Sequence, residues 1–229
     1  MDYFGSSLNA ALALLISGDW EVYFIVWTSL KISLAAVALA SVIAVPCGVT
    51  LGIAEFAGKR LLRQGLGSLM ALPTVVVGLL LYGLLSRRGP LGDWGLLYTP
   101  TAVVIGECVL ILPVMIHLVS TAVMGSDPRL LLTLKSLGAK GWRYFVLVLS
   151  ETRAGVLAAL VTGFGRAVGE VGIAMMLGGN IQGLTRTMTT AIALETSKGE
   201  FELGLALGIL LLTVAFIING LLVWLQPEK

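Results

Sequence analysis

Residues 125–153 read GSDPRLLLTLKSLGAKGWRYFVLVLSETR, a basic stretch set between two long apolar runs. It carries Arg129, Lys135, Lys140, Arg143 and Arg153 against Asp127 and Glu151. Ser126 or Asp127 suits a helix N-cap, and Pro128 suits the first helical position, where a missing N–H costs nothing. Gly138 supplies the residue that leaves such a helix in a left-handed conformation. The spacing predicts about ten helical residues, a glycine break, and a second piece with Trp142, Arg143, Tyr144 and Phe145. Two readings are open: a structured cytoplasmic loop, or a docking element for a soluble partner.

The rest of the chain belongs to a different solvent. Of 229 residues 57% are hydrophobic, 12% are charged and 28 are glycine. Low charge with many glycines is the composition of packed membrane helices, so the lipid bilayer is the first partner. A net charge of +2 gives no footprint for nucleic acid. Cys47 and Cys108 both lie in apolar runs, which excludes a disulfide framework or a CxxC metal site. The first residues lack a basic region and a small-residue cleavage motif, so no signal peptide is expected.

Residues 1–21 are read as an external segment, with a short interfacial helix over Leu8–Ile16. The first span covers 22–56, long enough to tilt or kink near Pro46, with Lys31 snorkelling outward. A loop over 57–65 follows, then a second span over 66–86 containing Pro73. Trp94 and Tyr98 suit interface anchors in the next loop. The remaining spans cover 99–124, 154–178 and 203–225, and residues 226–229 form a tail.

Placing the 126–152 loop in the cytoplasm puts nine basic residues inside: Lys59, Arg60, Arg63, Arg129, Lys135, Lys140, Arg143, Arg153 and Lys229. Arg87, Arg88, Arg186 and Lys198 stay outside. The positive-inside bias then gives an external N-terminus and a cytoplasmic C-terminus. Gly48 and Gly52, Gly165 and Gly169, and Gly204 and Gly208 are each spaced for close helix approach.

The fourth span carries Arg166 and Glu170 one turn apart, and the third carries Glu107. Intramembrane charges cost several kcal/mol unless paired or facing a polar cavity, so Arg166 and Glu170 either pair in the interior or line a route. The stretch after this span holds Asn180, Thr185, Arg186, Thr187, Thr189, Thr190 and Thr196 beside glycine turns. These donors suit an oxyanion; the competing reading is a solvated external loop. His117 is lone in an apolar run and reads as packed. No GxxxxGK[ST] phosphate loop occurs, so ATP hydrolysis is not expected in this chain. Five spans are few to enclose a pathway, which favours an oligomer with the route at a two-fold interface.

The loop around Leu137-Gly138-Ala139 resembles the cytoplasmic coupling motif of type I ABC importer permeases. Leu132, Thr133 and Leu134 stand at that motif's EAA positions, and Ser150-Glu151 stand where LP is usual. Residues 166–170 with Gly179-Asn180 are similar to the molybdate, sulfate and tungstate branch. The run 185–190 with 194–200 looks most like the tungstate permeases. The resemblance implies an all-α polytopic membrane protein of the type I importer fold, with the transmembrane domain over 22–225 and a multi-pass location in a prokaryotic cytoplasmic (inner) membrane. It implies a homodimer, an ATP-binding cassette subunit that holds ATP and Mg, and an extracytoplasmic binding protein that delivers the oxyanion. Pro128, Leu134, Leu137, Gly138, Ala139, Trp142 and Tyr144 would then couple to the ATPase. Arg166, Glu170, Asn180, Thr185, Arg186, Thr187, Thr189 and Thr190 would form the pathway or gate. Tungstate is the expected cargo, with molybdate or sulfate as the alternative. An ion-coupled secondary transporter using Glu107, Arg166 and Glu170, and a membrane scaffold, are the rivals from other classes.

Overall fold

The computed structural model of the chain describes residues 8, 9, 11–13, 16, 18–127, 129, 133, 134 and 136–225, without the side chains of 219 and 221–225. Pro128 and the tail 226–229 lie outside the described residues. Leu8, Asn9, Ala11 to Ala13 and Ile16 are helical. The main elements are α1 (Trp20–Ile53), α2 (Lys59–Leu69), α3 (Thr74–Leu85), α4 (Pro100–Met124), α5 (Gly141–Glu151), α6 (Arg153–Val168), α7 (Gly172–Gly178), α8 (Met188–Lys198) and α9 (Phe201–Leu225). No strand occurs among the described residues. The structure is all-α, as expected.

Two long helices form the spine. Asp19 opens α1 by accepting a hydrogen bond from the Glu21 N–H at 2.7 Å, and Thr99 opens α4 by accepting from the Ala102 N–H. Pro100 sits in the first turn of α4, where proline is tolerated, and Pro46 lies inside α1 without ending it. The helices approach through Gly48 and Gly52. A Cβ added at either would stand 2.6 Å from the Cβ of Val119 or Val123 respectively, so only glycine allows this contact. The other two glycine pairs differ. Gly165 and Gly208 have no atom within 4 Å of where a Cβ would lie.

Around the spine, α6 packs on both α1 and α4 through Ala36, Ala40, Ile111, Met115 and Ala167. At one end Val22, Phe164, Met188 and Leu207 join α1, α6, α8 and α9. At the other, Val49, Val119, Val123, Val148 and Val156 gather α1, α4, α5 and α6. α3 and α7 cover α4 through Leu85, Leu110, Ile173 and Leu177.

Several expected boundaries are corrected. The 57–65 loop is largely helical: Gly58 takes a left-handed φ of 95° and α2 begins at Lys59. The second span is not one helix. α2 and α3 meet at 93° across a break at Met70–Pro73, because Pro73 lacks the N–H an ongoing helix would need and instead precedes the first residue of α3. The fourth span is interrupted between Val168 and Gly172. The polar stretch after it contains α8, 11 residues long and therefore about 16 Å, too short to cross a bilayer. α1, α4 and the first 18 residues of α9 are each long and apolar enough to span, and two bent pairs, α2 with α3 and α5 with α6, bring the count to 5.

Sidedness can be checked at exposed positions. Gly58 and Gly92 are poor sites for cysteine, the first for its φ and the second because a Cβ would stand 2.4 Å from the Ser86 carbonyl oxygen. With Cys47 and Cys108 changed to serine, Asp93→Cys is expected to react with an impermeant maleimide in intact cells and Ala57→Cys only after lysis. The reverse pattern would invert the topology.

Candidate functional site

The interrupted fourth span is the centre of the polar interior. Backbone groups freed by a helix break within a membrane protein must find internal partners. Here Glu170 supplies them. Its N–H bonds the Ala167 carbonyl at 3.0 Å, its carboxylate accepts from the Ile173 N–H at 3.2 Å, and its own carbonyl accepts from the Thr189 hydroxyl at 2.7 Å. Glu170 therefore holds together the end of α6, the start of α7 and the start of α8. Glu107 of α4 is also buried, 1% exposed. One Glu107 oxygen, Oε2, has no hydrogen-bond partner.

Arg166 and Glu170 are not an ion pair. The helix ends at Val168, so the four-residue spacing no longer places both on one helical face. Arg166 turns instead to the α2–α3 break, where Nη2 lies 3.5 Å from the Met70 carbonyl, and its Nε is buried without a partner. Glu170→Ala is expected to destabilise the protein by about 1–3 kcal/mol by leaving a buried N–H unbonded, and Glu170→Gln by less, since the amide oxygen still accepts. Adding Arg166→Ala should be additive to within about 0.5 kcal/mol in thermal unfolding. A coupling well beyond that would restore the pair.

Four of the five threonines are packed inside the chain, while Thr196 is exposed on α8. Thr185, Thr187, Thr189 and Thr190 are all buried. Thr185 donates to the Gly178 carbonyl at 2.6 Å and accepts from the Ile181 N–H at 3.0 Å, closing the turn after α7. Thr187 and Thr190 form a reciprocal capping box at the start of α8. Arg186 is likewise engaged: Nη1 lies 3.3 Å from Glu21 Oε1, which also accepts from Gln182 at 2.7 Å. Asn180 takes a positive φ of 51° with its Oδ1 buried and unpartnered.

Sequence reading missed Glu21, Ser29 and Ser33. Ser29 accepts from the Met188 N–H at 2.7 Å, joining α1 to α8. The signal was available, since Ser29 and Ser33 share a face of an apolar helix at a four-residue spacing. The open face of this region presents Gly165, Gly169, Val171 and Met175, with Val75, Val76 and Leu79 of α3 also exposed.

The 126–152 segment divides into an inner and an outer side. Asp127 accepts from the Arg129 N–H at 2.8 Å, and Arg129, Thr133, Leu134 and Ser136 are helical. Gly138 has the expected left-handed φ of 78°, and the Ala139 N–H reaches back to the Leu134 carbonyl at 3.0 Å, as in a glycine-terminated helix. Leu134 is buried in the cluster with Val49 and Val148, and Ala139 and Tyr144 pack against it. Leu137 and Trp142 are 77% and 74% exposed, and Trp142 stacks on Phe145 with ring centroids 5.2 Å apart. Of the expected coupling residues, Leu137 and Trp142 thus face outward, while Leu134, Ala139 and Tyr144 face the chain's own core.

A multi-helix membrane body with an apolar spine and a punctuated basic loop is the build of a transporter subunit. The family described as binding-protein-dependent transport system inner membrane component matches residues 44–229, and the chain belongs to it. Its relatives include the tungstate uptake system permease protein TupB of Peptoclostridium acidaminophilum, 40% identical over 228 residues and 100% of each chain. TupB of Campylobacter jejuni is 40% identical over 96% of this chain and 92% of its own. The molybdenum transport system permease protein ModB of Escherichia coli is more distant, 33% identical over 76% of this chain and 82% of its own. These relatives are transport permeases.

Proposed function

We propose that this chain is the membrane subunit of an ATP-driven importer whose cargo is tungstate. The observation that carries the reading is the 40% identity, over essentially the whole chain, to two tungstate permeases, against 33% over 76% for a molybdenum permease. In this reading the chain works as a homodimer with two copies of a separate ATPase subunit, and an external binding protein delivers the oxyanion. The exposed surfaces of α3 and α7 support a two-fold interface, since Val75, Leu79 and Met175 have no covering element among the described residues. Leu137 and Trp142 would contact the ATPase subunit.

The pathway in this reading runs along that open face, bordered by Arg166 and the break at Glu170. The buried threonines and Arg186 shape the α7–α8 turn that borders it. Uptake by cells carrying the complete transporter, read as intracellular metal by mass spectrometry, tests this. Tungstate should accumulate from a mixture with molybdate and sulfate in excess. Preferential molybdate accumulation would reassign the cargo, and uptake that persists without the ATPase subunit would reject the ATP-driven mechanism.

A further inference from the structure

Where α2 meets the end of α4, a cavity of about 590 Å³ is lined by Glu55, Lys59, Arg60, Arg63, Gln64 and His117, among others. Three cations face it against one carboxylate. Lys59 is satisfied locally, 2.9 Å from Glu55 and 3.2 Å from the Gly52 carbonyl. Arg63 is not. Its Nη2 makes one long contact of 3.4 Å to the Thr121 hydroxyl, and its Nε is buried without a partner. His117 Nδ1 is also buried and unpartnered. A hollow lined by Lys59, Arg60 and Arg63, with the Arg63 guanidinium held by a single long contact, suits an anion carrying several acceptor oxygens.

The neighbouring surface selects among such anions. A second groove of about 370 Å³, lined by Pro46, Cys47, Thr50, Leu51, Ala54, Phe56 and Leu62, runs beside the first. Phe56 lines both, and Leu62 and Arg63 are consecutive on α2. Leu61, Leu62 and Leu69 of α2 are exposed, so this helix pairs an apolar surface with a basic one, as helices lying in the plane of a membrane interface do. A free oxyanion has no use for the apolar groove, whereas an amphiphile fills both. We propose that the two hollows hold one anionic phospholipid, with its phosphate against Arg60, Arg63 and His117 and an acyl chain along Phe56 and Leu62. Met124, the last residue of α4, lines the cationic cavity, so the headgroup sits where the chain leaves α4 for the 126–152 segment.

The test uses the full chain purified in a neutral detergent, with thermal unfolding followed as lipid is added. Dioleoylphosphatidylglycerol is expected to raise the melting temperature saturably, and dioleoylphosphatidylcholine not to. Each basic side chain near an anionic lipid contributes a factor of roughly five, so Arg60→Gln with Arg63→Gln should raise the half-saturating concentration about thirtyfold. Glu55→Gln removes the opposing carboxylate at an exposed position and should lower it about fivefold. Equal responses to the two lipids, or an unchanged response in the double variant, would overturn the proposal. So would reproduction of the shift by sodium sulfate or tungstate alone, which would make the cavity a free-anion site. If the arginine variant does not fold, Glu55→Gln decides: unchanged or weaker binding overturns the proposal.

Discussion

Replacing Gly48 with leucine is expected to be among the most damaging single changes in this protein. The added side chain would begin 2.6 Å from Val119 Cβ and 3.0 Å from the Ile116 carbonyl oxygen, both on α4. Neither is the end of a flexible side chain, so α1 and α4 must separate. Overpacking of a fitted core costs about 1–3 kcal/mol, and a backbone contact places this case at about 3 kcal/mol or more. The loss propagates because α6 packs on both of these helices and the α3–α7 layer packs on α4. Size-exclusion profiles and thermal unfolding in detergent would show the loss of a monodisperse species. Gly208→Ala, with no neighbour within 4 Å, is the control and should stay within about 0.5 kcal/mol. Equal behaviour of the two variants would mean that the spine does not depend on this contact.

Gly138→Val should have the largest effect on coupling. Nothing lies within 4 Å of a Cβ at Gly138, so no clash arises. The effect comes from the backbone: φ is 78°, a region that a β-branched residue resists by about 1–2 kcal/mol or more. Relief of that strain rotates Leu137 relative to Trp142, the two exposed apolar residues on either side of the turn. Co-purification with the ATPase subunit is expected to fall about tenfold, the equivalent of about 1.4 kcal/mol, and uptake to fall with it. Leu134 and Val148 anchor this segment in the core, so membrane insertion is measured alongside. Leu137→Ala with Trp142→Ala separates the effects, because both side chains are exposed and neither fixes the turn. Normal assembly and uptake in that double variant would remove the segment from the coupling mechanism.

Features resting on local chemistry were legible in the sequence. Asp127 at a cap, Gly138 in a left-handed turn, and Gly48 with Gly52 at a close contact all follow from what each residue allows in its immediate backbone. The third span, expected over 99–124, is observed as Pro100–Met124. Features resting on where a helix stops inside the membrane were not legible. An apolar run looks alike whether one helix crosses it or two pieces share it, so Pro73 and the sequence Gly169-Glu170-Val171-Gly172 read as interior to spans. The burial of the hydroxyls at 185–190 was not legible for the same reason. Hydroxyls flanking glycines suit a solvated loop and a buried capping network equally, and only the packing of α8 on α1 distinguishes them. Arg186 drew attention as a charge, but its partner Glu21 stands 165 positions away.

The lengths of the helices divide the molecule into a frame and its inserts. At a rise of about 1.5 Å per residue, the 34 residues of α1 make a rod of about 51 Å. Even at a tilt of about 40° it covers about 39 Å of the membrane normal, more than the roughly 30 Å of hydrocarbon. Its height is therefore not negotiable with the lipid, and α4, locked to it through two glycines, shares that register. The 12 residues of α3 and the 7 of α7 reach only about 18 Å and 10 Å, so protein contacts alone hold them at depth. Shifting such inserts leaves the frame's match to the hydrocarbon intact, whereas shifting the frame would break it. A cycle of rearrangement in this chain is thus cheapest when the short pieces travel and the two long posts stand still.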